Sequence, residues 1–245
     1  MGLGVNAVVH LAPHEFASDH PCTDPDLYEA DEQLLAYMLQ DLRALVRRRR
    51  NGEVELAPYE VLAWSVHDLA RRQVICDPAG LEEKRDVCIV GFFGERRGNP
   101  ETQPRIDRLE SALHEEFRDV PGVLSYSSIE LVDDYWANLV VHSADEDREV
   151  WRNREVHREA AEDASPEHYR SVRIHHGVLA DGVCSSNMIR LVRTKYWDYG
   201  DDPALGMWMA ERELVAPIPP MAGGRGTRPG AKFLARWKRR TTSSR

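Results

Sequence analysis

Cysteine is scarce and scattered in this 245-residue chain, which carries Cys22, Cys76, Cys88 and Cys184 and no C-x-x-C pair. That spacing speaks against a zinc ribbon or a disulfide framework, and structural or incidental thiols are expected. Long apolar runs are missing as well: none approaches the ~20 residues that a membrane-spanning helix needs. The segment Met1 to Asn6 lacks the basic residues of a secretory signal, and Asn6 stands where a myristoylation signal wants Ser or Thr. A cytoplasmic protein is the expectation. Three chemistry-bearing motifs are absent: a G-x-G-x-x-G turn after a strand, a Walker A loop and a G-x-S-x-G elbow. The one glycine cluster, Gly223-Gly224-Arg225-Gly226, joins no strand to a helix. A nucleotide-dependent enzyme is therefore disfavoured.

Positive charge is short in most of the chain. Of the 32 Lys and Arg, eight fall between Arg225 and Arg245 with no acidic residue among them. The rest of the chain carries all 41 Asp and Glu against 24 Lys and Arg. An acidic body disfavours nucleic acid as the main partner, since binding must replace counterions along phosphates. The basic tail reads as a solvated segment or one folded back on that body.

What is present is a clear succession of elements. Asp24 or Asp26 can cap a helix running to about Arg50, with Leu27, Leu34, Leu35, Met38, Leu42 and Leu45 as its apolar stripe. Arg47 to Arg50 suit the negative end of that helix, and Asn51-Gly52 ends it. Pro58 can start a second helix to about Gln73, with Val61, Leu62, Val66 and Leu69 on one face, giving an N-terminal α-hairpin. After Asp77-Pro78-Ala79-Gly80, the run Asp86 to Phe93 reads as a buried strand. Ile106, Leu109, Leu113 and Phe117 mark a helix; Val123 to Leu131 and Tyr135 to His142 form a hairpin. Ser143 with Glu146 resembles a capping box opening a helix to about Ala164, and Ser171 to Leu179 is a further strand. Met188 to Trp197 suggests one more strand, and Asp202-Pro203 a short helix through Met207, Trp208 and Met209. Three segments are expected: a helical extension over 1–82, the main domain over 83–200, and a helix with the basic tail over 201–245.

The element order over 86–180 is βαββαβ. The fold class expected is α+β, a ferredoxin-like antiparallel sheet with both helices on one face. The other face would then need a partner to cover it. Alternation puts Trp136, Asn138, Val140 and His142 on one side of their strand, and Arg173, His175, Gly177 and Leu179 on one side of theirs. With small aliphatics turned to the helices, Trp136, Asn138, His142, Arg173 and His175 are assigned to the open face, joined by Tyr126. Aromatic walls with a few converging polar groups suit a small-molecule site, although Tyr, Trp and Arg also suit a subunit interface. Val150, His157, Ala161 and Ala164 form the inward stripe of the following helix, with Trp151 beside it. A lone histidine on such a stripe, as His157 is, is more often a hydrogen-bonded core residue than a catalyst.

This arrangement resembles the dimeric α+β barrel superfamily, which includes antibiotic-biosynthesis monooxygenases, polyketide cyclases and haem-degrading monooxygenases. The resemblance rests on the element order, on the strand Asp133 to His142 and on the helix from Trp151 to His157. It implies a homodimer and cofactor-independent monooxygenation or cyclisation of an aromatic or polycyclic substrate. His175 or His142 would be the base, with Arg173 and Asn138 stabilising an enolate and Trp136, Tyr126, Trp151 and His157 lining the substrate site. The resemblance to haem-degrading members departs from their pattern: the residue ten after Trp151 is Ala161, and His157 follows by only six. No cofactor is the first expectation and haem the alternative, with His142, His157, His175 and His176 as axial candidates. His10, His14, His20 and Cys22 match no standard metal site, and no metal site is assigned. A non-catalytic dimeric binding module is the remaining alternative.

Overall fold

The computed structural model describes residues 7–66, 69–131, 134–202 and 206–214. Along the chain come β1 (Val9–Leu11), α1 (Pro25–Arg50), β2 (Glu60–Val66), β3 (Leu69–Ile75), α2 (Pro78–Glu83), β4 (Val87–Arg96) and α3 (Gln103–Glu116). Then follow β5 (Val123–Glu130), β6 (Tyr135–His142), α4 (Asp145–Arg152), α5 (Glu155–Arg158), a π-helical turn (Glu159–Ala164) and α6 (Ser165–His168). Strands β7 (Tyr169–Leu179), β8 (Arg190–Asp198) and β9 (Trp208–Glu213) complete the described residues.

Helix α1 forms where its signals put it. The Asp24 carboxylate accepts from the Asp26 N–H at 2.8 Å, Pro25 fills the first turn and four arginines fill the last. Its stripe does not meet a second helix. Residues expected to continue as an α-hairpin instead form the hairpin β2–β3, and β3 pairs onward with β5. Val61, Leu62, Val66 and Leu69 fit a helical period, but β-branched and aromatic residues recur through Val61, Trp64, Val66, Val74 and Ile75, and β5 offers β3 a ladder partner. The short C-terminal helix is likewise corrected. Trp208 to Glu213 pair with β8, and Ala210 and Arg212 turn inward at the strand period of two. The basic tail lies outside the described residues.

The ferredoxin-like βαββαβ unit of a dimeric α+β barrel is overturned by the sheet itself. Among the described residues nine strands form one mixed open sheet, in the order β1-β9-β8-β7-β4-β6-β5-β3-β2, and the pairing of β1 with β9 is the parallel one there. Strands from before, within and after the segment 83–200 hydrogen-bond into that one sheet. The physical reason is α1. Its Leu34, Leu35, Met38, Leu39, Leu42 and Val46 pack with Ile89, Phe93, Ala137, Leu139, Val141, Leu179 and Leu191, so the chain covers the face that a barrel partner would need. The other face packs against α3 and α4 through Phe117 and Trp151, over Val74, Tyr126 and Val140.

Gly91 sets how closely α1 approaches. A Cβ there would lie 2.7 Å from Leu35 Cδ1, and Leu35 is wholly buried. Gly91→Val is expected to destabilise the protein by about 1–3 kcal/mol through overpacking. Urea unfolding measures this, and an unchanged midpoint would mean that α1 does not seat on β4.

The helix expected from Ser143 to Ala164 is broken. The Ser143 hydroxyl donates to the Asp147 carboxylate, α4 ends at Asn153, and α5 leads into the π-helical turn. Such turns widen the backbone ring and are frequent beside functional sites.

Candidate functional site

Two groups of polar side chains are placed by the two sheet faces, and the expected site residues divide between them. Directly paired residues point to the same side. Phe93 is opposite both Ala137 and Arg173, so Arg173 and His175 share the α1 face with Ala137 and Leu139. Trp136, Asn138, Val140 and His142 face α3 instead, as do Tyr126, Trp151 and His157. The structure therefore separates Arg173 and His175 from the other six.

On the α3 face, Ala63, Arg72, Ser128 and Asn138 stand side by side across β2, β3, β5 and β6. Glu130 and Trp136 pair in the next row. Here a groove of about 330 Å³ opens, lined by Trp64, Arg72, Ser128, Glu130 and Trp136 among others. Its charges are already matched. Arg72 meets Glu110 at 2.6 Å, Arg96 meets Glu130 at 2.6 Å, and the Arg96 guanidinium lies 4.8 Å from the centre of the Trp136 ring. Some polar atoms in this part of the sheet are not matched. Ser128 Oγ and Asn138 Oδ1 are buried and have no protein hydrogen-bond partner.

Further along the same face lies an aromatic and imidazole cluster. Trp151 stands 5.7 Å from His142 and 4.7 Å from His157, and Phe117 joins it to Tyr126. His142 is wholly buried with both ring nitrogens unpartnered, and Trp151 Nε1 and His157 Nδ1 are unpartnered too. Burial, reinforced by Arg148, pushes the His142 imidazole down to about 4; burial with Arg152 does the same for His157. Both are neutral at pH 7. Among the described residues no histidine lines the groove.

The α1 face holds a different arrangement. Arg173 Nε and Nη2 donate to the two oxygens of Asp31 at 2.6 and 3.0 Å. His175 Nε2 lies 2.9 Å from Asp31 Oδ2, and Nδ1 lies 2.8 Å from Thr194 Oγ1. Burial would raise the Asp31 carboxyl, but the Arg173 guanidinium and the hydrogen bonds from His175 and Arg173 outweigh it and hold it low. Burial lowers the His175 imidazole despite its bond to Asp31. The neutral ring then carries its proton on Nε2 toward the carboxylate and accepts from the Thr194 hydroxyl. Carboxylate, imidazole and hydroxyl in this polarity resemble an activated nucleophile. Thr194 is 0% exposed, however, as are His175 and Asp31, so no substrate reaches it. The network anchors α1 to the sheet.

Asp31 was not foreseen, yet a signal existed: it lies four residues after Leu27 and three before Leu34, inside the apolar stripe. An acid on a buried stripe implies a buried cation. Arg72 and Ser128 had no such signal, because their strand phase depends on pairing. The N-terminal His10, His14, His20 and Cys22 do not come together as a centre. His20 bonds Asp198 at 2.9 Å and stacks on Trp208, and no group of three or more His, Cys, Asp or Glu among the described residues is arranged to hold a metal.

No protein-family model matches the chain, and no curated protein matches it. Among solved structures, the crystal structure of protein SO0527 from Shewanella oneidensis is similar over 40% of this chain and 96% of its own, at 14% identity. The TM-score is 0.32, which carries no argument about fold or function. Among the described residues no helix is long and apolar enough to cross a membrane.

Proposed function

We propose that the protein binds a small, neutral aromatic molecule in the groove on the α3 face. The observation that carries this reading is the unmatched Ser128 Oγ in the groove lining beside the Trp136 wall, with Asn138 Oδ1 unmatched behind it in the same row. Buried polar groups are ordinarily hydrogen-bonded, and a ligand N–H or O–H would satisfy Ser128 Oγ. A neutral ligand is favoured because Arg72 and Glu130 already have partners, so an ionic group would have to break an existing pair. The volume lies at the small end of the range for small-molecule sites. A cytoplasmic setting goes with this reading, supported by four free thiols.

A panel of neutral phenols and N-heteroaromatics, followed by tryptophan fluorescence and thermal shift, tests it. A saturable hit is expected to bind about tenfold more weakly to Ser128→Ala, the worth of one buried hydrogen bond, and to lose binding in Trp136→Ala. Unchanged affinity in both variants would put the ligand elsewhere and sink the reading.

Catalysis of the cofactor-independent monooxygenase or cyclase type is a second reading: His142 and His157 stand on the same sheet face with neutral imidazoles, but neither is among the residues lining the groove and His142 is wholly buried. An imidazole held near 4 is a weak base at pH 7, so binding ranks above catalysis here. Arg173 and His175 have no part in it, since both are sealed beneath α1.

A further inference from the structure

The strand order leaves β1 at one edge of the sheet and β2 at the other. β1 is 3 residues long, and a very short edge strand is a common protection against pairing. β2 is 7 residues long, from Glu60 to Val66, with no proline, lysine or arginine among them. Its single charge, Glu60, stands at the first position, in a chain of which 30% is charged. Val61 is 49% exposed. An edge of this length with so little charge is a template for a further strand.

The ladder fixes which backbone groups of β2 point outward. The Cys76 N–H donates to the Leu124 carbonyl at 2.9 Å, and the Ile75 carbonyl accepts from the Tyr59 N–H at 2.7 Å. Residues of β3 therefore turn alternately to β5 and to β2, the odd-numbered ones to β2. Ile75, Gln73, Arg71 and Leu69 stand opposite Glu60, Leu62, Trp64 and Val66, so the even-numbered residues of β2 are the ones bonded inward. The N–H and C=O groups of Val61, Ala63 and Ser65 point out of the sheet, and all three residues are exposed.

Two conditions govern how this strand can meet its own copy. Opposed residues of an antiparallel pair share a face, so odd must oppose odd and even oppose even. The odd residues must also form the hydrogen-bonded pairs, because only they present free groups. A twofold axis through Ala63 meets both conditions along the whole strand. Val61 then opposes Ser65 of the second copy, Ala63 opposes Ala63, and Ser65 opposes Val61, with both N–H groups bonded in each pair. Moving the axis to Leu62 or Trp64 would lose one of these pairs. On the other face Leu62 falls against Trp64 of the second copy, and the symmetry repeats that contact. The two Glu60 carboxylates lie at opposite ends, about 20 Å apart at ~3.4 Å per residue, well beyond the ~8 Å screening length.

We propose that β2 is a self-docking edge, at which two copies of the chain pair β2 with β2 about a twofold axis through Ala63 and join their sheets. Sheet faces would meet in a barrel dimer, and α1 covers that face here; the joint at β2 is edge to edge. With 7 strand residues a side, against about 20–30 residues in a standard interface, the dimer is concentration-dependent. The inference stands independently of the small-molecule reading.

Sedimentation of the full chain from micromolar to millimolar concentration tests it, and a monomer–dimer equilibrium is expected. Ala63→Lys and Ala63→Asp each set like charges face to face at the axis, and each is expected to weaken the dimer at least about tenfold. Mixing the two variants opposes unlike charges and is expected to restore association as a heterodimer. Ala63→Cys, in a Cys184→Ser background because Cys184 is exposed, is expected to cross-link on oxidation, since opposed bonded residues lie about 5.5 Å apart between Cα atoms. A monomer at every concentration would overturn the proposal and leave the edge to a strand of another protein. So would a dimer that Ala63→Lys leaves intact, or a dimer in which Ala63→Cys forms no cross-link.

Discussion

Asp31→Ala is expected to lower stability by about 3–5 kcal/mol, the cost of leaving a buried charge without its partner. The substitution strips Arg173 of both its acceptors and His175 of one, in a cluster with 0–1% exposure. For a chain of this size the melting temperature should fall by roughly 10 °C. The loss comes from the orphaned guanidinium more than from the missing attraction, so Asp31→Leu combined with Arg173→Leu is expected to recover much of it. Urea unfolding of the two single variants and the double variant measures this coupling. A loss below about 1 kcal/mol in Asp31→Ala would mean that water reaches Arg173, and the closed α1 face would be wrong.

The second large effect is acid sensitivity. Burial, with nearby arginines, holds His142, His157 and His168 down to about 4 and His176 to about 3. In the unfolded chain these imidazoles titrate near 6.5. Between those values the unfolded state binds more protons than the folded one, so stability falls as pH drops from about 6.5 toward 4. At about 1.4 kcal/mol per pH unit, the fully buried His142 alone should cost roughly 3 kcal/mol across that window. His176 adds a specific reason, since Arg148 lies 2.8 Å from its Nδ1 and donates to a lone pair that protonation removes. Denaturant unfolding from pH 7.5 to 4.5 should show this slope, reduced in His142→Phe. A flat profile would show that these rings take up protons as readily in the native state as in the unfolded one.

Much of the local structure was legible. The cap at Asp24, the stripe of α1, and strands β4 to β8 were readable because strong periodicity and turn residues act locally. The hairpin β2–β3 was not, because its apolar spacing satisfied a helical period and only the neighbouring β5 resolves the ambiguity. For the site, alternation sorted each strand's residues correctly into two sets. It erred in joining the set from β6 to the wrong set from β7, since the relative phase of two strands is a pairing property, visible only when Phe93 is seen opposite both Ala137 and Arg173.

The chain's own order of residues determined that α1 would be amphipathic, that four central strands would alternate with helices, and that Trp136, Asn138 and His142 would share a face. These follow from backbone period and side-chain chemistry within a few residues. Only tertiary structure decided what α1 covers, which strands flank the centre, and that Asp31 meets Arg173 and His175 more than 140 positions away. Burial of one apolar face requires some cover, but the sequence period is the same whether that cover is a second subunit or the chain's own first helix.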